Sequence, residues 1–266
     1  MLGLSSESPD ATGGLSVVVI TLNEEARIAQ CLASVSFADE IIVVDSGSRD
    51  RTVEVARAAG ARVEHTPDWP GFGPQKNRAL ALATRQWVFS IDADERVTPE
   101  LREEILAIVR AGASAADAWD MPRRSSYCGQ YMAHSGWYPD RVTRLFRRGC
   151  ARFSDDLVHE RLLTEGPVGH LASELLHESF DNLSDVLRKL DAYSTAGAAR
   201  MWLRGSRTSL AGAVAHGFWA FVRTYVLQRG FLDGRMGFVL AVSNAEGTYY
   251  RYLKLWLLQR QAASHR

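Results

Sequence analysis

The sequence predicts an α/β protein built on a doubly wound, mainly parallel sheet, followed by a C-terminal helical appendage. Three observations carry this. Continuous apolar, β-branched runs (LSVVVI, IIVV, WVFSI) suit strands buried on both faces. Stretches of helical length with capping residues stand between them. Polar residues gather just past the strand ends, where ligands bind in such sheets.

The elements follow in order. Residues 15–20 form the first strand. Thr21 and Glu24 have capping-box spacing, with Asn23 an alternative cap, for a helix to about residue 35. Residues 41–44 form the second strand and end in Asp45; Asp50 can cap the next helix and Gly60 can end it. Residues 61–65 read as a third strand. Pro74 suits the first turn of a helix to about residue 84. Residues 87–91 form a fourth strand ending in Asp92-Ala93-Asp94, and Thr98 caps a helix with Pro99 at its first position.

The chain has 266 residues, 46% hydrophobic and 23% charged, which excludes a disordered or low-complexity protein and leaves room for a substantial core. Lys+Arg and Asp+Glu are equal at 31 each, so no overall basic field points to nucleic acid. The charge is uneven: residues 181–266 hold 12 basic and 5 acidic groups, against 19 and 26 in residues 1–180. Cys31, Cys128 and Cys150 form no paired motif, which argues against a disulfide scaffold or structural zinc and fits a reducing compartment. Residues 1–14 lack a basic region followed by an apolar core and read as a flexible tail without a secretory signal. No uncharged apolar stretch reaches about 18 residues, so no simple membrane span is expected.

There is no G-x-x-x-x-G-K-[ST], no G-x-G-x-x-G after the first strand and no G-x-S-x-G, which argues against the phosphate-loop, dinucleotide and α/β-hydrolase classes. Asp92 and Asp94, one residue apart at a strand end, can converge on a hard cation such as Mg²⁺ or Mn²⁺. Bound there, the cation would balance the charge of a departing diphosphate. An isolated D-x-D could also be a solvated turn; the position at a sheet rim favours the metal. Asp45 could accept an N–H from a nucleotide base or merely stabilise its turn, and Gly47 would let backbone approach a ligand. In residues 71–78 (GFGPQKNR), a helix N-terminus with Lys76 and Arg78 could attract phosphate, or could be a plain loop and a solvated helix face.

As a set, VVVITLNEE, EIIVVDSGSRDRT, GFGPQKN and VFSIDADERV resemble the family 2 glycosyltransferases with a GT-A fold. A second block with GWYPD, RLFRRG and RFSDDLVHE, and then YVLQRGFLDGRMGF and KLW, is similar to the lipopolysaccharide core branch, the WaaE-like β-glucosyltransferases. The resemblance implies a nucleotide-sugar donor, a divalent metal, inversion at the anomeric carbon and a lipid-linked saccharide acceptor. By motif, Thr21, Asn23 and Glu24 would line the nucleotide pocket and Asp45 would contact the base, uracil. Lys76 would lie near the nucleotide or phosphates, Asp92 would contact ribose or metal-bound water, and Asp94 would be the principal metal ligand. It places the GT-A domain at residues 15–180, with a nucleotide-sugar half to 110 and an acceptor half from 111.

Inverting transfer needs a base to take the acceptor proton. The expected Glu-Asp pair is missing from the second half. In its place stands SDDLVHER, where Glu160 is the first candidate, Asp156 the second, and His159 could act as base or complete the metal shell. A helix cap at Ser154 or Asp155 with an ion-paired Glu160 is the plain alternative. Trp137 and Tyr138 could stack on an acceptor sugar, and Arg123, Arg124, Arg141 and Arg144 could meet its phosphates, or all could serve packing and solubility. His134 reads as structural.

Residues 181–266 turn helical, and their aromatics beside Lys and Arg suit an anionic membrane surface, with packing on the catalytic domain or on another subunit as the alternative. The expectation is a cytoplasmic hexosyltransferase, peripheral on the inner face of the cytoplasmic membrane, that moves glucose from UDP-glucose to a lipopolysaccharide inner core. The rivals are transfer to polyprenyl phosphate or protein, and a non-catalytic nucleotide-sugar-binding protein.

Overall fold

A computed structural model describes residues 13–112, 116–155 and 160–264. The expected tail at residues 1–12 and the candidates Asp156 and His159 lie outside the described residues. The chain divides into two compact units. The first runs to Arg123 and resumes over Arg141–His177; the second holds Arg124–Asp140 and Glu178–Arg266. The second unit therefore takes residues 124–140 and begins its C-terminal part within a strand, a grouping that a single boundary at residue 180 does not express.

The first unit opens with β1 (Leu15–Thr21), α1 (Ile28–Ser34), β2 (Glu40–Asp45), α2 (Thr52–Ala58), β3 (Arg62–His65), α3 (Phe72–Leu82) and β4 (Trp87–Asp92). β1 pairs in parallel with both β2 and β4, and β2 with β3. The strand order β3-β2-β1-β4 is the doubly wound arrangement expected. Alternate residues of β1 feed two cores. Val17 and Val19 pack with Ile28 and Leu32 of α1 on one face, and Val18 and Ile20 pack with Ala79 of α3 on the other. The order reverses between β1 and β4, so the crevice at their carboxyl ends is where such a sheet takes a ligand.

β5 (Glu95–Val97) follows, then α4 (Pro99–Ala111), β6 (Ala118–Tyr127), β7 (Gln130–Tyr131) and β8 (Asp140–Arg147). Thr98 caps α4 as expected, its side chain accepting from the Leu101 N–H at 3.2 Å, and Leu101 and Ile105 join the first core. β9 (Ala151–Phe153), β10 (Leu162–Thr164), β11 (Val168–His170) and β12 (Leu175–Phe180) complete the strands, and the main sheet continues β4-β8-β6-β12-β5. β8 runs antiparallel to β4, and β12 antiparallel to β5. None of β5 to β12 is among the expected strands.

One local expectation is corrected: no side chain caps α1, whereas Asp50 Oδ1 accepts from the Thr52 N–H at the start of α2 at 3.0 Å. Asn23 takes a left-handed backbone (φ 57°), and its Oδ1 accepts from the Arg49 N–H at 2.8 Å. The Glu24 N–H donates to Thr52 Oγ1 at 2.8 Å, and Asp50 accepts from the Thr52 and Glu25 N–H groups. These polar groups tie the loops after β1 and β2 together, which delays α1 to Ile28.

In the second unit, α5 (Leu183–Leu203), α6 (Leu210–Val222) and α7 (Gly234–Ser264) pack together, with a π-helical stretch Arg223–Leu227 and a 3-10 turn Gly230–Asp233 between α6 and α7. His216 stacks on Tyr252 at 3.8 Å. Asp233 is buried and accepts from Ala133 N–H, His134 N–H and Ser135 Oγ, while His134 Nδ1 lies 3.1 Å from its Oδ1, the structural role expected for His134. Among the described residues one helical window, Leu210–Leu227, is long and apolar enough to cross a membrane, with mean hydropathy 1.2 and 22% buried. The window contains Arg223, so it is not the uncharged stretch whose absence the sequence suggested.

Candidate functional site

At the switch point lies a cavity of about 470 Å³, walled by Thr21 from the end of β1, Asp92 and Asp94 from the end of β4, Lys76, Glu160 and His177. Each arrives for a traceable reason. β1 and β4 are in register at Ile20 and Asp92, so their termini open side by side. Thr21 is buried, and its Oγ1 has no hydrogen-bond partner.

Asp92 is held on both oxygens. Lys76 Nζ is 3.0 Å from Oδ1 and Arg144 Nη2 is 2.6 Å from Oδ2. Burial pushes the Asp92 carboxyl up, but the charges of Arg144 and Lys76 more than reverse this and hold it well below the usual carboxylate range. Beneath it, buried Glu95 accepts from the Asp92 N–H at 3.0 Å and from Arg144 at 2.6 Å. Each Asp92 oxygen thus already carries one cationic partner.

Asp94 is differently placed. Its Oδ2 lies 3.3 Å from His177 Nε2. Burial raises the Asp94 carboxyl, and the hydrogen bond from His177 outweighs it, so the group sits below its ordinary value. The β5–β12 pairing makes this meeting, since His177 stands opposite Glu95 in register. A carboxylate oxygen and an imidazole nitrogen facing one cavity fit a divalent cation, whose other ligands would come from substrate oxygens and water. Among the described residues no third His, Cys, Asp or Glu completes the pair. The histidine beside Asp94 is His177, part of LLHESF, which sequence reasoning did not name; the candidate His159 lies outside the described residues.

Glu160 is brought to the site by GFGPQKN. Lys76 Nζ lies 2.9 Å from Glu160 Oε1. Asn77 clamps the preceding segment, its Nδ2 donating to the Phe153 carbonyl at 2.9 Å and its Oδ1 accepting from the Phe153 N–H at 2.8 Å. Gly73 lets the two backbones touch, since a Cβ there would lie 1.8 Å from the Ser154 carbonyl oxygen. The Ser154 Oγ accepts from the Arg161 N–H at 3.1 Å.

Of the other expected residues, Glu24 lines the cavity and pairs with Arg27 at 3.5 Å. Asn23 does not line it and serves the loop tie described above. Asp45 is buried and faces its own loop, where Oδ2 accepts from the Gly47 and Ser48 N–H groups at 3.0 Å each and lies 3.2 Å from His65 Nδ1. That is the turn-stabilising alternative, and Gly47 (φ 97°) supplies the bend. Trp69 and Phe72, in edge contact at 4.9 Å and about half exposed, line the cavity and were missed. An aromatic pair in the DWPGF loop was their only sequence signal.

A second cavity of about 700 Å³ adjoins the same residues. It too is walled by Asp92 and Glu160, together with Arg123, Arg141, Arg144 and Arg161. The Asp92–Lys76–Glu160 chain thus borders two openings, one edged by Asp94 and His177 and the other by arginines.

The family model described as Glycosyl transferase family 2 matches residues 16–160. The lipopolysaccharide core biosynthesis glycosyltransferase LpsC of Rhizobium meliloti (strain 1021) is 32% identical over 95% of this chain and 94% of its own length. The uncharacterized glycosyltransferase RP128 of Rickettsia prowazekii is 29% identical over 91% of this chain and 86% of its own. The glucosyl-3-phosphoglycerate synthase of Mycobacterium tuberculosis, crystallised with Mn²⁺, uridine diphosphate and glucosyl-3-phosphoglycerate, is 33% identical over 42% of this chain and 44% of that chain, with a TM-score of 0.37.

Proposed function

The chain belongs to glycosyl transferase family 2 and is a glycosyltransferase of GT-A fold; from that premise we propose an inverting, metal-dependent transfer of glucose from UDP-glucose to a lipopolysaccharide inner-core sugar. The observation that carries this reading is the pair of cavities meeting at Asp92 and Glu160, which Lys76 links by ion pairs. The donor occupies the cavity edged by Asp94 and His177, and the acceptor approaches through the arginine-lined one. The donor's identity follows from the motif resemblance, and the acceptor class from LpsC and from arginines suited to anionic groups.

Asp94 and His177 would hold the divalent cation, which supplies Lewis-acid neutralisation of the diphosphate. Thr21 Oγ1 donates to the bound nucleotide sugar, and Trp69 with Phe72 shields it from water. Lys76, fixed between two carboxylates, sets a positive charge beside the leaving group and orients Glu160. The acceptor hydroxyl oxygen attacks the anomeric carbon as the bond to the diphosphate oxygen breaks with its electron pair. The hydroxyl proton passes to Glu160, and attack from the face opposite the diphosphate inverts the centre.

Glu160→Gln tests this. Loss of a positioned base should lower kcat by about 10²–10³-fold with the donor KM little changed. Full activity with Gln would favour an acceptor already ionised, such as a polyprenyl phosphate, over a sugar hydroxyl. We also place the protein at the anionic inner face of the cytoplasmic membrane. Phe218, Trp219, Val226, Leu227 and Leu232 are each more than half exposed, beside Arg223 and Arg229.

A further inference from the structure

The second unit has a cleft of its own, about 250 Å³, between α5 and α7. Its inner wall is aromatic. Trp137 and Phe180 meet Tyr127 at 5.6 and 5.9 Å in edge geometry, and the Tyr127 hydroxyl is fixed 2.7 Å from Ser243 Oγ. Tyr193, 66% exposed, stands at the opening. Two cations line the same space. Lys189 lies 4.6 Å over the Phe180 ring, and Arg251 keeps a buried Nε with no hydrogen-bond partner. Asn244 and Thr248 add neutral donors, and no carboxylate is among the described lining residues.

We propose that this cleft is a saccharide subsite outside the donor cavity that takes one anionic sugar, a pyranose ring bearing a phosphate or carboxylate. The aromatic wall offers flat apolar surface to the C–H face of a ring, and the amide and hydroxyl groups suit its hydroxyls. Two positive charges in a cleft lined by no carboxylate favour a negative group. A volume below the ~300 Å³ of the smallest drug-sized pockets limits the occupant to about one ring. A bare anion would leave the aromatic wall uncovered, and an acyl chain would leave Arg251 unmet. The inference rests on the reading that the protein handles charged saccharides, and on neither the metal nor the base.

Calorimetric titration of the full-length protein with glucose 6-phosphate, glucose and inorganic phosphate tests it. Glucose 6-phosphate should bind at least about tenfold more tightly than either fragment, and both Arg251→Gln and the surface change Lys189→Gln should cost about tenfold or more. Melting temperatures near the wild-type value establish that the variants fold. Asp94→Asn, which removes the metal carboxylate, should leave this affinity unchanged, so loss of transfer and loss of the subsite are told apart. Inorganic phosphate binding as tightly as glucose 6-phosphate would reduce the cleft to an anion site and overturn the proposal. Unchanged affinity in both Arg251→Gln and Lys189→Gln would overturn it too.

Discussion

Gly73 shows how a residue without functional groups controls chemistry. The Ser154 carbonyl occupies the space a side chain would need, and that contact holds the segment carrying Glu160 against α3. Gly73→Ala forces the two backbones apart and should destabilise the fold by about 1–3 kcal/mol, in line with overpacking elsewhere. It should also lower kcat by about tenfold or more through misplacement of Glu160. Thermal melts and steady-state kinetics check both, and a variant with wild-type kcat would mean Glu160 is positioned by other contacts. Residue identities at this site were legible only where chemistry is local. Asp92 and Asp94 announce themselves by spacing, and Lys76 by its motif. His177 does not, because its meeting with Asp94 is made by an antiparallel strand pair some eighty residues apart in the chain. Asp45 was legible as an acid at a strand end, but the loop that folds around its Oδ2 was not.

Among elements, β1, β2 and β4 could be read because burial on both faces writes continuous apolar runs. The Thr98-Pro99 start of α4 could be read because capping is local. β5, β9, β10 and β11 are three residues each, too short to carry a period, and their partners are distant. α1 begins late because the Asn23 side chain, which could cap it, crosses to the next loop, and the Glu24 N–H donates to Thr52 Oγ1. In the second unit α6 and the π-helical stretch after it leave Phe218 (69%), Trp219 (55%) and Leu227 (60%) exposed near Arg223, a face suited to a bilayer surface. Replacing Phe218, Trp219 and Leu227 together by Ser should release the protein from vesicles containing phosphatidylglycerol while leaving the melting temperature nearly unchanged. Equal co-sedimentation of the triple variant and wild type would assign that face to another role.

At the scale of the molecule, the doubly wound half of the sheet brings Thr21, Asp92 and Asp94 to one cavity, and later parts of the chain add Arg144 from β8, His177 from β12, and Glu160 from the segment beyond β9. The parts of the site within the first unit thus follow chain order. Metal binding tests this arrangement most directly. Mn²⁺ titrated into the protein with UDP present, followed by the electron paramagnetic resonance of the free ion, should give one saturable site. Asp94→Ala and His177→Ala should each weaken it by about tenfold or more, on the scale of lost ligands and their supports. Wild-type affinity for Mn²⁺ in both variants would contradict the site.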